Sequence, residues 1–94
     1  MESEDFEWDD DKDADNIANH GIGFKIAVQA FDDDRAIPFS DPKHSSVGEP
    51  CYALLGLCEL GLVFISFTYR GSKTRIISAR KASKRMQGIY AEND

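Results

Sequence analysis

Gly71-Ser72 interrupts two runs of strand-forming residues, LVFISFTY at 62–69 and KTRIISA at 73–79, and this arrangement restricts the chain more than any other. Aromatic and β-branched side chains dominate both runs. A Gly-X pair between them is the pattern of a two-residue type II′ hairpin turn. Such a turn pairs Arg70 with Lys73 and Thr68 with Arg75, placing all four on one face. A slip of one residue would send them to the other. Val63, Ile65, Phe67 and Tyr69 form an unbroken apolar face. On the second face Leu62 and Phe64 give way to Ser66 and Thr68, so that face is expected to open to solvent near Thr68.

The remaining elements follow from local pattern. Cys51 to Cys58 is almost wholly apolar, as a strand covered on both faces would be, and Glu59-Leu60-Gly61 makes a turn into the hairpin. Ala36 to Phe39 is short and contains Pro38, which cannot donate to a ladder and suits an edge strand. Asp9 to His20 reads as a helix capped by the Asp9-Asp10-Asp11 run, with Ala14, Ile17 and Ala18 at helical spacing and Gly21 as the stop. His20 fits the cationic or hydrogen-bonding position at that helix end. A second helix carries the stripe Phe24, Ala27, Val28 and Phe31 and ends at Asp32 to Asp34. Ser83 caps a last helix, where Met86, Ile89 and Tyr90 would be buried and Gly88 costs roughly 1 kcal/mol relative to Ala. Phe6 and Trp8 alternate around Glu7 like a short strand that pins the chain start to the core. The expected architecture is α+β: two N-terminal helices, a mainly antiparallel four-stranded sheet and a C-terminal helix. Residues 1–5 are expected to be a loose tail and 6–92 one domain.

Charge is divided unevenly. The 94 residues carry a formal charge of -6. Residues 1–49 hold fourteen acids and four bases (4 - 14 = -10), and residues 50–94 hold three and seven (7 - 3 = +4). All seven bases of the second half, Arg70, Lys73, Arg75, Arg80, Lys81, Lys84 and Arg85, fall between Thr68 and Arg85 with no acid among them. Arg and Lys so concentrated offer several donors to anionic oxygens, and RNA is the candidate ligand. The same density would also suit a solvated strand edge protected from pairing.

Other chemistries are disfavoured. His20 and His44 are 24 residues apart (44 - 20), no Cys or His pair has ligand spacing, and the Asp runs fit helix ends and loops, so no metal is expected. No phosphate-binding glycine loop, dinucleotide fingerprint or nucleophile elbow occurs, and no cofactor is expected. Cys51 and Cys58 in one strand, at about 3.3 Å per residue, lie beyond disulfide reach and should be free packing residues. No apolar run approaches the roughly 20 residues of a membrane helix. Met1 is followed by acids rather than by a signal segment, so a cytoplasmic location is expected. The loop from Ser40 to Pro50 contains His44, whose side chain suits proton transfer near neutral pH.

The chain resembles the BrnT family of bacterial type II toxins. The residues that carry the resemblance are Phe6-Glu7-Trp8 with the Asp that follows, Lys12, Asn16, His20-Gly21, Phe24 and Phe31-Asp32. It continues through Asp41 to His44, Gly48-Glu49, Tyr69-Arg70-Gly71, the run RIISARKA from Arg75 to Ala82, and Tyr90. The likeness spans Phe6 to Glu92. It implies a RelE-like fold, metal-free RNA cleavage, growth arrest through blocked translation, and neutralisation by a BrnA-type ribbon-helix-helix antitoxin that also binds operator DNA. The positions that would carry function are Arg70, Arg75 and Arg80, with Lys81 and Tyr69 beside them and His44 as a further transfer.

Three positions depart from the family pattern. Pro50-Cys51 stands where a charged pair usually follows Gly-Glu, and Met86 stands where Glu is common, removing a capping-box partner for Ser83. A weakened or specialised nuclease would follow if the missing charges move protons. Arg70 and Arg75 are assigned to the reacting phosphate, Arg80 to it or the adjacent nucleotide, and His44 or Tyr69 to proton exchange. Lys73, Lys81, Lys84 and Arg85 would bind RNA. The rival reading is a noncatalytic domain whose basic face binds an acidic or phosphorylated protein.

Overall fold

The computed structural model describes residues 4–40 and 50–93. Its elements are β1 (Phe6–Glu7), α1 (Asp10–His20), α2 (Phe24–Ala27) continuing as a 3₁₀ turn (Val28–Asp32), β2 (Ile37–Ser40), β3 (Tyr52–Cys58), β4 (Gly61–Arg70), β5 (Lys73–Lys81) and α3 (Lys84–Glu92). The fold is α+β, with one sheet in the order β1-β5-β4-β3-β2. Five strands replace the expected four, and the sheet is mixed: β1 runs parallel to β5, with Phe6 opposite Thr74 and Glu7 opposite Arg75. Asp5, last residue of the expected tail, already accepts at its carbonyl from Thr74 N–H at 2.9 Å.

The hairpin has the register that its turn dictates, Arg70 opposite Lys73 and Thr68 opposite Arg75, and Gly71 supplies the φ of +61° that the first turn position needs. Further along, pairing skips a residue: Ser66 faces Ser78, but Phe67 faces Ile76, leaving Ile77 as a bulge. Strict alternation would have put Ile76 and Ala79 on opposite faces. The bulge restores both to the core, where they are 1% and 0% exposed, and places Arg75 and Arg80 together on the other face.

The core lies between the sheet and the N-terminal helical segments. Ile22, Phe24, Ala27 and Ala30 pack with Trp8 onto Leu54, Val63, Ile65, Phe67, Ile76 and Ala79. The second helix is shorter than its stripe implied. Its change to 3₁₀ geometry at Val28 buries Ala30 and leaves Phe31 half-buried, where Phe31 packs edge-on to Phe67 with centroids 5.1 Å apart. Gly56 on β3 lies under this turn: a Cβ there would meet Ala30 O at 2.9 Å.

α1 departs further from expectation. Asp9 caps it, accepting from the N–H groups of Asp11 and Lys12, and Gly21 ends it in the left-handed conformation. Ala14, Ile17 and Ala18, however, are exposed, and the buried residue is Asn16. Asn16 donates Nδ2 to Ile22 O and Ala79 O, each at 2.8 Å, and accepts from Ala79 N–H at 3.1 Å. This amide ties the helix to the last strand where an apolar stripe would otherwise do so. Asp13 accepts from Phe24 N–H at 2.8 Å and so starts α2.

α3 is capped by Ser83, whose Oγ accepts from Met86 N–H. Its apolar residues Met86, Ile89 and Tyr90 are half-buried rather than buried. Polar contacts supplement them: Tyr90 hydroxyl to Asp33, and Gln87 side chain to Ala82 O. Cys51 and Cys58 are not joined in a disulfide.

Candidate nucleic-acid interface

Alternation along β4 and β5, corrected for the bulge, puts Arg70, Lys73, Arg75 and Arg80 on the sheet face turned away from α1 and α2. Arg70 and Lys73 are cross-strand partners at the hairpin end, and Arg75 is the diagonal neighbour of Arg70, about 7–8 Å away by strand geometry. Three cationic residues therefore converge at one end of this face. Thr68 does not open it to solvent as expected: it is 6% exposed and donates its hydroxyl to Pro50 O at 2.8 Å. The polar residues of the face are packed rather than bare, because the chain entering β3 crosses next to Thr68.

Arg75 meets a carboxylate absent from the sequence-derived site. Glu7 reaches it from β1, Oε2 to Nη1 at 3.6 Å, the two side chains 18% and 25% exposed. In the sequence Glu7 reads as the spacer between Phe6 and Trp8 and as part of the Phe6-Glu7-Trp8 opening that resembles the family, with no role of its own. Its link to Arg75 comes from parallel pairing across 68 residues (75 - 7), which no local pattern encodes. Phe6 and Trp8 turn inward on either side of it, Phe6 against Phe31 and Trp8 against Phe24.

Arg80 lies opposite Phe64 and holds its guanidinium 5.5 Å from that ring centroid, a cation–π arrangement. Phe64 to Arg70 is six residues of strand, about 20 Å at 3.3 Å each. Arg80 and Arg70 therefore cannot hold the same phosphate. Beside Arg80, a mostly apolar groove of about 240 Å³ is lined by Phe39, Ser40, Phe64, Arg85, Met86 and Ile89. Arg85 and Lys84 are exposed on the first turn of α3.

Two residues are not brought to this face. Lys81 pairs with Val63, and Tyr69 with Thr74, so both belong to the opposite side of the sheet. Tyr69 is 62% exposed there, against Tyr52 and Phe67 with centroids 5.3 and 5.7 Å away. His44 lies outside the described residues.

Among the described residues no three His, Cys, Asp or Glu side chains gather as metal ligands, and no helix is long and apolar enough to cross a membrane. The family model described as "Ribonuclease toxin, BrnT, of type II toxin-antitoxin system" matches residues 8–85. No curated protein matches the sequence.

Proposed function

We propose, for a chain that belongs to the BrnT family of type II ribonuclease toxins, that it is an RNA endonuclease working without a metal and arresting translation. Its fold is read as RelE-like, its location as cytoplasmic, and its inhibitor as a ribbon-helix-helix antitoxin that also binds operator DNA. The carrying observation is the convergence of Arg70, Lys73 and Arg75 at one end of a sheet face, within the span that the family covers.

Cleavage of this kind needs the ribose 2′-hydroxyl deprotonated and aimed in line at its own phosphate, the phosphoryl charge stabilised, and the 5′-oxygen protonated. Arg70 and Arg75 hold the phosphoryl oxygens, where preorganised donors contribute several kcal/mol. Lys73 adds charge beside them. Arg80, Lys84 and Arg85, at the far end of the face, guide the flanking strand. Lys81, on the opposite side, contributes through its long-range field. His44 exchanges protons, a role Tyr69 fits less well from the other side of the hairpin.

The decisive experiment incubates purified protein with RNA in EDTA. Cleavage supports a metal-independent nuclease. Intact RNA in EDTA but cleavage with divalent metal would remove metal independence. Intact RNA under both conditions, with folded protein, would favour a noncatalytic basic-faced partner-binding domain.

A further inference from the structure

We propose that Glu7 is the general base of this nuclease. The inference rests on the ribonuclease reading above and adds to it a residue from the opposite end of the chain. Arginine keeps its proton in proteins, so the group that takes the 2′-hydroxyl proton must be something else on the same face. Glu7 satisfies the placement. Its pairing with Arg75 directs its side chain to the face of Arg70, Lys73 and Arg75, and its Oε2 is 3.6 Å from Arg75 Nη1.

Two features separate this carboxylate from an ordinary surface partner. First, its position is rigidly set: Trp8 is 5% exposed, Phe6 packs on Phe31, and Asp5 O is bonded to Thr74 N–H, so residues on both sides of Glu7 are fixed. Second, the contact is looser than the about 2.7–2.9 Å of a charge-assisted hydrogen bond. A phosphate arriving on Arg75 can therefore share the guanidinium while the carboxylate remains beside the adjoining ribose.

The step balances without a co-reactant. Glu7 takes the proton of the 2′-hydroxyl, and O2′ forms a bond to phosphorus as the P–O5′ bond breaks. O5′ receives a proton from a general acid, leaving a 2′,3′-cyclic phosphate and a 5′-hydroxyl. Arg75 then has two tasks, holding the phosphoryl oxygens and orienting the base.

Single-turnover cleavage across pH tests the assignment. Glu7→Gln should bind RNA at least as tightly, since a negative charge is gone, yet cleave at least 100-fold more slowly. The acid limb of the pH–rate profile should vanish, and formate should partly restore cleavage to Glu7→Ala. A merely structural ion pair predicts lost stability, an unchanged acid limb in the residual activity and no formate rescue, and that result would overturn the proposal. So would wild-type rates in Glu7→Gln. A wild-type protein that cleaves no RNA would sink the nuclease reading itself and Glu7's role with it, whereas the variant results bear on Glu7 alone.

Discussion

Tyr90 on α3 donates its hydroxyl to Oδ2 of Asp33 at 2.6 Å, joining the last helix to the end of the 3₁₀ turn. The same carboxylate accepts from Leu57 N–H at 2.9 Å and Arg35 N–H at 3.0 Å. Three segments thus meet at one side chain. Burial pushes the Asp33 carboxyl up, but the hydrogen bonds from Tyr90, Leu57 and Arg35 and the Arg35 charge outweigh it, and its pKa falls below the ordinary value. The hydrogen bond to Asp33, then burial and the Asp33 charge, push the Tyr90 phenol above its ordinary 10.0.

Tyr90→Phe should therefore destabilise the fold at neutral pH by about 1 kcal/mol, below the about 1.5–3 kcal/mol of a buried hydrogen bond to a charged group because both partners are half-buried and solvent screens them. The depressed Asp33 contributes stability above its unfolded pKa of about 4, and that contribution is lost as pH falls through the still lower folded value. The raised Tyr90 contributes below pH 10 and loses its contribution as pH rises through the folded value. Urea melts of both proteins should show a gap at pH 7 that narrows below pH 4 and above pH 10. A gap independent of pH would mean that packing, not the hydrogen bond, carries the effect.

Asn16→Ala should cost at least about 2 kcal/mol, because it strands Ala79 N–H and two carbonyls in a buried site. Asn16→Asp should be no better, since a carboxylate cannot donate to Ile22 O and Ala79 O. Thermal melts that leave either variant at the wild-type midpoint would contradict this account of α1.

Two glycines should respond in opposite directions. Gly56→Ala forces a Cβ against Ala30 O and should destabilise by about 1–3 kcal/mol, the range for overpacking. Gly88→Ala meets nothing within 4 Å at an exposed position of α3 and should stabilise by up to about 1 kcal/mol. Chemical denaturation of both variants in one buffer reads the pair of signs.

Arg70→Ala should slow cleavage of already bound RNA by more than tenfold, a loss above about 1.4 kcal/mol of transition-state stabilisation. Lys84→Ala, on the next helix, should mainly weaken RNA binding and flatten its salt dependence, because fewer counterions are released. Unchanged single-turnover cleavage in a folded, RNA-binding Arg70→Ala protein would remove Arg70 from the reaction centre.

Salt should also act on the antitoxin. A partner segment that covers Arg70, Lys73 and Arg75 is steered by their field, so stopped-flow association should slow with ionic strength more than dissociation accelerates. An on-rate independent of salt would place the contact on an apolar surface instead.

Local pattern alone determined much of this molecule. Turn chemistry at Gly71 set the hairpin register, Asp9 with Gly21 bounded α1, Ser83 started α3, and Pro38 marked the edge strand, because each rule involves residues only a few positions apart. The basic stretch and the family likeness were also readable without coordinates. Long-range packing decided the rest. Ile77 is expelled as a bulge because Ile76 and Ala79 must both reach the core, and that single irregularity brings Arg75 and Arg80 to one face although their spacing in the chain is odd. Asn16 replaces the apparent apolar stripe of α1 because the partner it meets is the backbone of Ala79, 63 residues away. Glu7 comes beside Arg75 only through a parallel edge strand. Parallel pairing needs a long crossover rather than a turn, so nothing in the neighbouring residues signals it.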